Sequence, residues 1–401
     1  MPDFDPSLGY MPYADVTLAP APTGPLAGLT FAVKDLFDVA GMPTSGGNPL
    51  LLARLGIREH TAFAVQRLLD AGARFTGKTI TDELAFSLNG QNAHFGSPIN
   101  GAVPERITGG SSSGSAAVVS WGLCDTALGT DTGGSVRAPA SHCGLFGLRP
   151  THGRIPLAGA VDLAPSFDTC GFFARDGLTF TRVADVLLPA DEVVLNSPEC
   201  LVPPDLWALA EDDARSVLES AWEHAQTVLG LSATPMSVVL DSLDAMFWSF
   251  RYIQGHEAWK THGGFISRFK PPLGPGVAER FAWSSTVSDA QFAEAVAFRA
   301  RFKAHLAGLL GSSRVLVLPT MPNVAPLRTT PESSLEDYRN RALRLLCLAG
   351  LSGFPQVSVP GLRLGGAPLG LSLLGPAGSD RSLVRLAARV ASALAADNCR
   401  H

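Results

Sequence analysis

The sequence predicts an α/β protein, a β-sheet covered by helices on both faces, and three observations carry that prediction. Short apolar runs alternate with segments of helical periodicity, the pattern that packs helices on both sides of a sheet. Hydrophobic residues make up 46% of the chain and charged residues only 17%, which excludes a disordered, solvating chain. A length of 401 residues suffices to bury a large core, in one big α/β domain or two ordinary ones.

Residues 1–27 are rich in Pro and Ala without periodicity, and read as an extended arm lying on the domain. Leu29-Thr30-Phe31-Ala32-Val33 is a strand ended by Lys34-Asp35. Apolar positions at helical spacing run from Thr61 to Gly72, where glycine stops the helix. Arg74-Phe75-Thr76-Gly77 reads as a second strand. Residues 87–114 form a long loop dense in Gly, Asn, Ser and Pro, of the sort that carries function. Ser115 to Trp121 then reads as helix, and Thr126-Ala127-Leu128-Gly129 as a short strand.

From about 186 to 310 the character changes. Amphipathic helices are predicted over 209–228, 241–260 and 288–310, with a rigid loop at Pro271–Gly276. Strand-like runs return at Val315–Leu318 and Val357–Val359, and a final helix covers about 380–396. Sheet-like segments on both sides make 186–310 a helical insertion within one domain spanning 1–401. The stretch 186–205 is the sole candidate boundary.

The formal net charge of −5 and pI near 6.0 supply no basic field for nucleic acid or anionic lipid. Every apolar run is cut by Gly, Pro or charge before it could cross a bilayer. The acidic, proline-broken start Met1-Pro2-Asp3-Phe4 lacks the pattern of a signal peptide. Cys124, Cys143, Cys170, Cys200, Cys347 and Cys399 show no metal-binding or redox spacing, and read as free thiols in a reducing compartment. A cytoplasmic protein with no metal or cofactor is the expectation. Lysines are few (Lys34, Lys78, Lys260, Lys270 and Lys303), so one that closes an apolar strand stands out.

Three stretches bear chemistry: Phe31–Asp35, Gly109-Gly110-Ser111-Ser112-Ser113-Gly114-Ser115, and Gly129-Thr130-Asp131-Thr132-Gly133-Gly134-Ser135-Val136-Arg137. Glycine pairs beside serines let backbone N–H groups approach a ligand, as an oxyanion or a phosphate requires. Neither loop has the Gly-Lys-Ser/Thr ending of a phosphate loop. Gly110–Gly114 also fits the G-x-S-x-G elbow of an α/β-hydrolase esterase, with Ser112 as nucleophile. That elbow must follow a buried strand, and Pro104-Glu105-Arg106-Ile107-Thr108 is no such strand. The late histidines His256, His262, His305 and His401 have no evident Asp partner in the sequence.

Taken together, the stretches resemble the amidase signature family. The likeness continues through Arg137-x-Pro139-Ala140-Ser141, Gly144–Arg154, Ser166-Phe167-Asp168-Thr169, Leu318-Pro319-Thr320, Gly353–Pro360 and Pro368-Leu369-Gly370-Leu371, in family order over most of the chain. The resemblance implies a single large mixed sheet flanked by helices. It also implies a cofactor-free amide hydrolysis in which Ser135 attacks, Ser111 relays protons across a cis Gly110–Ser111 peptide, and Lys34 is the base. Burial at the end of an apolar strand would lower the pKa of Lys34 and make it usable as one. By the same resemblance the N–H groups of Thr132, Gly133, Gly134 and Ser135 form the oxyanion hole, supported by Ser112, Asp131 and Arg137. Ser113 stands where the family commonly has glycine.

Within the family, Thr81–Asn92, Ser166–Asp176 and Gly274–Arg280 are similar to plant-type indole-3-acetamide hydrolases and bacterial small-amide amidases. The implied substrates are a small primary amide, with an aryl-acetic acid part, and water. Phe37, Phe86, Phe167 and Trp248 are candidate pocket walls. Two other roles occur among relatives, an amidotransferase A-type subunit and an amidase-like receptor domain without catalysis. A homodimer stays open as a partner.

Overall fold

The computed structural model describes residues 5–398. Met1–Phe4, Cys399 and His401 therefore lie outside the described residues. Ten strands are formed, β1 (Thr30–Lys34), β2 (Arg74–Thr79), β3 (Thr126–Thr130), β4 (Phe146–Arg149), β5 (Cys170–Ala174), β6 (Glu199–Val202), β7 (Ala233–Pro235), β8 (Arg314–Pro319), β9 (Gln356–Leu364) and β10 (Ala367–Leu374). All ten join one sheet in the order β2-β1-β3-β5-β4-β9-β10-β8-β6-β7. The sheet is parallel at both ends, where β2, β1 and β3 run together and β8, β6 and β7 do likewise. Between them every pairing from β3 to β8 is antiparallel.

Period-2 alternation divides the core. On β8, Val315 and Val317 enter one apolar cluster while Leu316 and Leu318 enter the other. The first cluster is covered by helices Phe63–Asp70, Gly177–Leu187, Asp212–Leu229 and Asp380–Asn398. The second is covered by Leu243–Phe269, Asp289–Leu310 and Glu332–Ser352. On β1, Phe31 and Val33 face the first cluster, whereas Ala32 faces helix Ser113–Ser120. The parity of the strand puts Lys34 on the same side as Ala32.

The N-terminal arm does lie on the domain. Met11 N–H donates to Lys78 O at 2.8 Å and Ile80 N–H to Gly9 O at 2.8 Å, so the arm extends the β2 edge. The segment 186–310 departs from the all-helical reading, because it contributes β6 and β7 to the same sheet. β6 also falls inside 186–205, so the candidate boundary is a sheet strand. Both strands are short, and β7 ends in proline, which masks them in sequence. The helix read from Ser115 begins two residues earlier, at Ser113, directly after the serine pair.

Candidate active site

The ends of β1 and β3 and the loop before helix Ser113–Ser120 meet around one buried amine. Lys34 is fully buried. Its Nζ donates to Ser111 Oγ at 2.7 Å and to Thr130 Oγ1 at 2.8 Å. Among the described residues, no carboxylate is its direct hydrogen-bond partner. Burial pushes its pKa from the usual 10.5 down to about 7, against the opposing pull of Asp82, Asp131 and Asp168. The Gly110–Ser111 peptide is cis. Ser111 O accepts from Asp82 N–H at 3.0 Å and from Thr81 Oγ1 at 3.1 Å, which fixes the residue from behind.

Ser112 does not have the surroundings of a nucleophile. Its hydroxyl is buried and spans the Thr130 backbone, donating to the carbonyl at 3.2 Å and accepting from the N–H at 3.3 Å. No imidazole enters its hydrogen bonds, and the residues before it form a loop. One sequence expectation is corrected here. His256 does have a carboxylate partner, Asp289 at 3.0 Å, but Asp289 is exposed at the start of its helix and the imidazole stacks on Phe292. Ser112 N–H also donates to Ser135 O at 3.2 Å, which ties the two serine loops together.

The loop Asp131–Ser135 is shaped by a buried carboxylate with two guanidinium partners. Asp131 accepts from Arg137 Nε (3.0 Å) and Nη2 (2.8 Å) and from Arg149 Nη1 (3.1 Å). It also accepts the N–H groups of Gly134 (2.8 Å), Val136 (3.1 Å) and Arg137 (3.3 Å). Burial alone would raise its pKa, but the charge and hydrogen bonds of Arg137, then the charge of Arg149, hold the carboxyl well below the usual range. Arg149 further binds Asp131 O at 2.5 Å, Thr132 O at 3.1 Å and Phe167 O at 2.8 Å. Burial lowers the pKa of that guanidinium to about 10. Ser112, Asp131 and Arg137 thus all make hydrogen bonds within or between these loops.

The expected set of four oxyanion donors needs one revision. The Gly134 N–H is aimed at Asp131 and is spent there, because the turn folds back on its own first residue. Thr132, Gly133 and Ser135 have N–H groups that meet no protein acceptor among the described residues. Two glycines here are required by geometry. Gly134 has φ +114°, and a Cβ there would lie 2.4 Å from Leu346. At Gly133 a Cβ would lie 2.8 Å from the ring of Phe250.

Of the candidate walls, Phe167 is placed at the site. It stacks on Phe250 at 4.7 Å, with the Arg299 guanidinium 4.4 Å from its ring centre. Phe86 lies in the same apolar cluster, edge-on to Phe281 at 5.0 Å. Phe37 is instead packed in the opposite cluster with Phe31 and Val33. Trp248 is 44% exposed beside Tyr252 and Trp283, since two helix positions turn it away from Phe250 by about 200°. Neither is a wall. Thr130, Asp82, Arg149, Phe250 and Gln254 were not assigned roles from sequence. The first three lie in or beside quoted motifs, while the last two carry no local signal.

A buried lysine bonded to a serine thus stands next to a glycine loop in which the N–H groups of Thr132, Gly133 and Ser135 are free. Residues 11–217 match the family described as Amidase. The chain is 40% identical to "Amidase 1" of Arabidopsis thaliana, over 92% of this chain and 95% of that protein. It is 34% identical to "Translocon at the outer membrane of chloroplasts 64" of Pisum sativum, over 90% of this chain and 65% of that one. A solved structure, "Crystal structure of amidase", superimposes with a TM-score of 0.82 at 31% identity, covering 92% of this chain and 85% of the other. The chain belongs to the amidase family and is an amide-hydrolysing enzyme. Among the described residues, no helix is long and apolar enough to cross a membrane.

Proposed function

We propose that the protein hydrolyses a small primary carboxylic amide to the acid and ammonia through an acyl-enzyme on Ser135. The observation that carries this reading is the buried Lys34 amine 2.7 Å from Ser111 Oγ, with its pKa brought to about 7. A neutral amine at that position accepts a proton, and a charged one does not. Ser135 Oγ attacks the carbonyl carbon, its proton passes to Ser111 Oγ, and the Ser111 proton passes to Lys34 Nζ. The carbonyl oxygen becomes an oxyanion held by free N–H groups of the Thr132–Ser135 loop. Loss of one such donor typically costs ~3 kcal/mol of barrier. The proton then returns to the leaving nitrogen, the C–N bond breaks and ammonia departs. Water repeats the sequence on the ester and frees the acid.

An aryl-acetic acid part is supported by the stacked Phe167–Phe250 pair against the Gly133 loop, and by the likeness to Amidase 1. The retained Lys34–Ser111 contact favours catalysis over a receptor role. Ammonia release from indole-3-acetamide and phenylacetamide tests the substrate class, and turnover of neither removes the aryl-acetic assignment. Ser135→Ala tests the mechanism. It should abolish ammonia release and acyl-enzyme trapping by mass spectrometry, and a variant that still turns over overturns the acyl-enzyme reading.

A further inference from the structure

Asp82 packs behind the loop that carries Ser111. Its backbone N–H donates to Ser111 O at 3.0 Å, and its carboxylate presses on the neighbouring Gly110. A Cβ at Gly110 would lie 2.6 Å from Asp82 Cγ and 2.7 Å from Oδ1, so a larger residue there would displace the charge. Asp82 Oδ2 accepts from the Gly90 N–H at 3.0 Å, while Oδ1 is buried with no hydrogen-bond partner. The residue is fully buried, and among the described residues no guanidinium or ammonium forms an ion pair with it. A buried carboxylate without a cation is costly, and it persists only where something nearby compensates it.

The compensating group is close by. Ser111, one peptide bond from Gly110, holds Lys34 Nζ at 2.7 Å from its hydroxyl. Burial pushes the Asp82 carboxyl upward, against the Gly90 N–H, the Ser87 hydroxyl, the charge of Lys34 and the Ser113 hydroxyl. In return, Asp82 leads the carboxylates that pull the Lys34 pKa up against burial, ahead of Asp131 and Asp168. Those two are committed elsewhere. Asp131 is held by Arg137 and Arg149, and Asp168 accepts from Thr132 Oγ1 and from the N–H groups of Leu163 and Ala164. Resting on the relay described above, we propose that Asp82 is a positioning residue. Its carboxylate, seated against Gly110, is the through-space counter-charge for the ammonium that Lys34 becomes when it takes the Ser111 proton. At rest no carboxylate touches the amine, so it stays neutral. As the ammonium forms, the charge one residue beyond Ser111 stabilises it until the proton returns to the leaving nitrogen.

The test compares the pH profile of kcat/KM for phenylacetamide in the unaltered protein and in Asp82→Asn, which keeps the shape and an acceptor for Gly90 but removes the charge. Losing a nearby negative charge lowers the pKa of an amine. The acidic limb should therefore move to lower pH by about half a unit or more, and the plateau above it should fall because the base is weaker. Thr81→Val is the control. It removes the hydroxyl that donates to Ser111 O at 3.1 Å without altering any charge, and should leave the limb in place. A limb that Asp82→Asn leaves unmoved or shifts to higher pH overturns the proposal, and so does one that Thr81→Val moves equally far. If Asp82→Asn does not fold, Asp82→Ser, equally uncharged, carries the same comparison. If phenylacetamide is not turned over, the rate of Ser135 sulfonylation by phenylmethanesulfonyl fluoride, followed by mass spectrometry, reads the same limb. Ser135→Ala separates the two readings. If it abolishes reaction while Asp82→Asn leaves the limb fixed, the relay stands and only the role of Asp82 fails. If it spares reaction, or if the unaltered protein shows no acidic limb, the relay fails and takes this proposal with it.

Discussion

Two lysines on neighbouring strands of this sheet are held in opposite ways. In the parallel pairing of β1 with β2, Val33 lies opposite Lys78 and Lys34 opposite Thr79. Both amines are almost fully buried, and burial lowers the pKa of each. Lys78 Nζ sits 2.5 Å from Asp35 Oδ1 and also donates to Pro43 O and Thr44 Oγ1. Asp35 in turn accepts from Tyr13 Oη at 2.7 Å and from Ser45. Among the described residues the hydrogen-bond partners of Lys34 Nζ are two hydroxyls, and Asp82, Asp131 and Asp168 act on it through space. The difference teaches that burial alone does not make a base. What matters is whether a carboxylate is close enough to keep the proton in place.

The comparison breaks most directly by exchanging each lysine. Lys34→Ala should lower kcat/KM for amide hydrolysis by about a thousandfold, the scale of a lost general base, as followed by ammonia release. Turnover within tenfold of the unaltered protein would dissolve the distinction between the two amines. Lys78→Met should instead act on folding. Removing one partner of a buried ion pair strands the other, here Asp35, and costs about 3–5 kcal/mol. Urea unfolding would show this as a lower midpoint, with kcat/KM of the folded fraction little changed.

The pH dependence sharpens the same point. Only the neutral Lys34 amine accepts a proton, so kcat/KM should rise about tenfold per pH unit below about 7 and level off above it. Stability follows the opposite limb of that titration. Between about 7 and the unfolded value near 10.5 the unfolded chain binds a proton at Lys34 that the folded chain does not. Stability therefore gains about 1.4 kcal/mol per pH unit from this group across that window, and the gain is absent below it. Lys34→Met should show a smaller rise in urea midpoint from pH 7.5 to 9.5 than the unaltered protein. The smallest expected effect is that of Tyr13→Phe, which removes one of several donors to Asp35. It should cost about 1 kcal/mol in urea unfolding and leave kcat/KM unchanged.

Much of this fold is legible in the sequence. Strands β1 and β8 carry the apolar runs Phe31–Val33 and Val315–Leu318, and the long helices carry their own period. The strands that escaped reading are those whose composition argues against them. Phe146-Gly147-Leu148-Arg149 and Cys170-Gly171 contain glycine, and β10 begins Ala367-Pro368, yet all are stabilised by neighbours on both sides. At the site, Lys34, Ser111, Asp131 and Arg137 lie in compact motifs where neighbours in sequence are neighbours in space. Gln254 and Phe250 approach the loop from more than a hundred residues away, on a helix where nothing local distinguishes them from other polar and aromatic positions. The spent N–H of Gly134 was likewise invisible, because whether a turn folds back on its own carboxylate is a matter of torsion angles rather than composition.

The placement of β6 and β7 at one rim of the sheet has a practical corollary. The chain leaves β7 at Pro235 and returns in β8 at Arg314, and between those points lie helices Leu243–Phe269 and Asp289–Leu310. The roof packed on the Gly133 loop is thus hung between that rim and β8, whereas Lys34 and Thr130 sit toward the other end of the sheet, on β1 and β3. Grafting another roof between those two anchors would exchange what is recognised while leaving the chemistry's foundations standing.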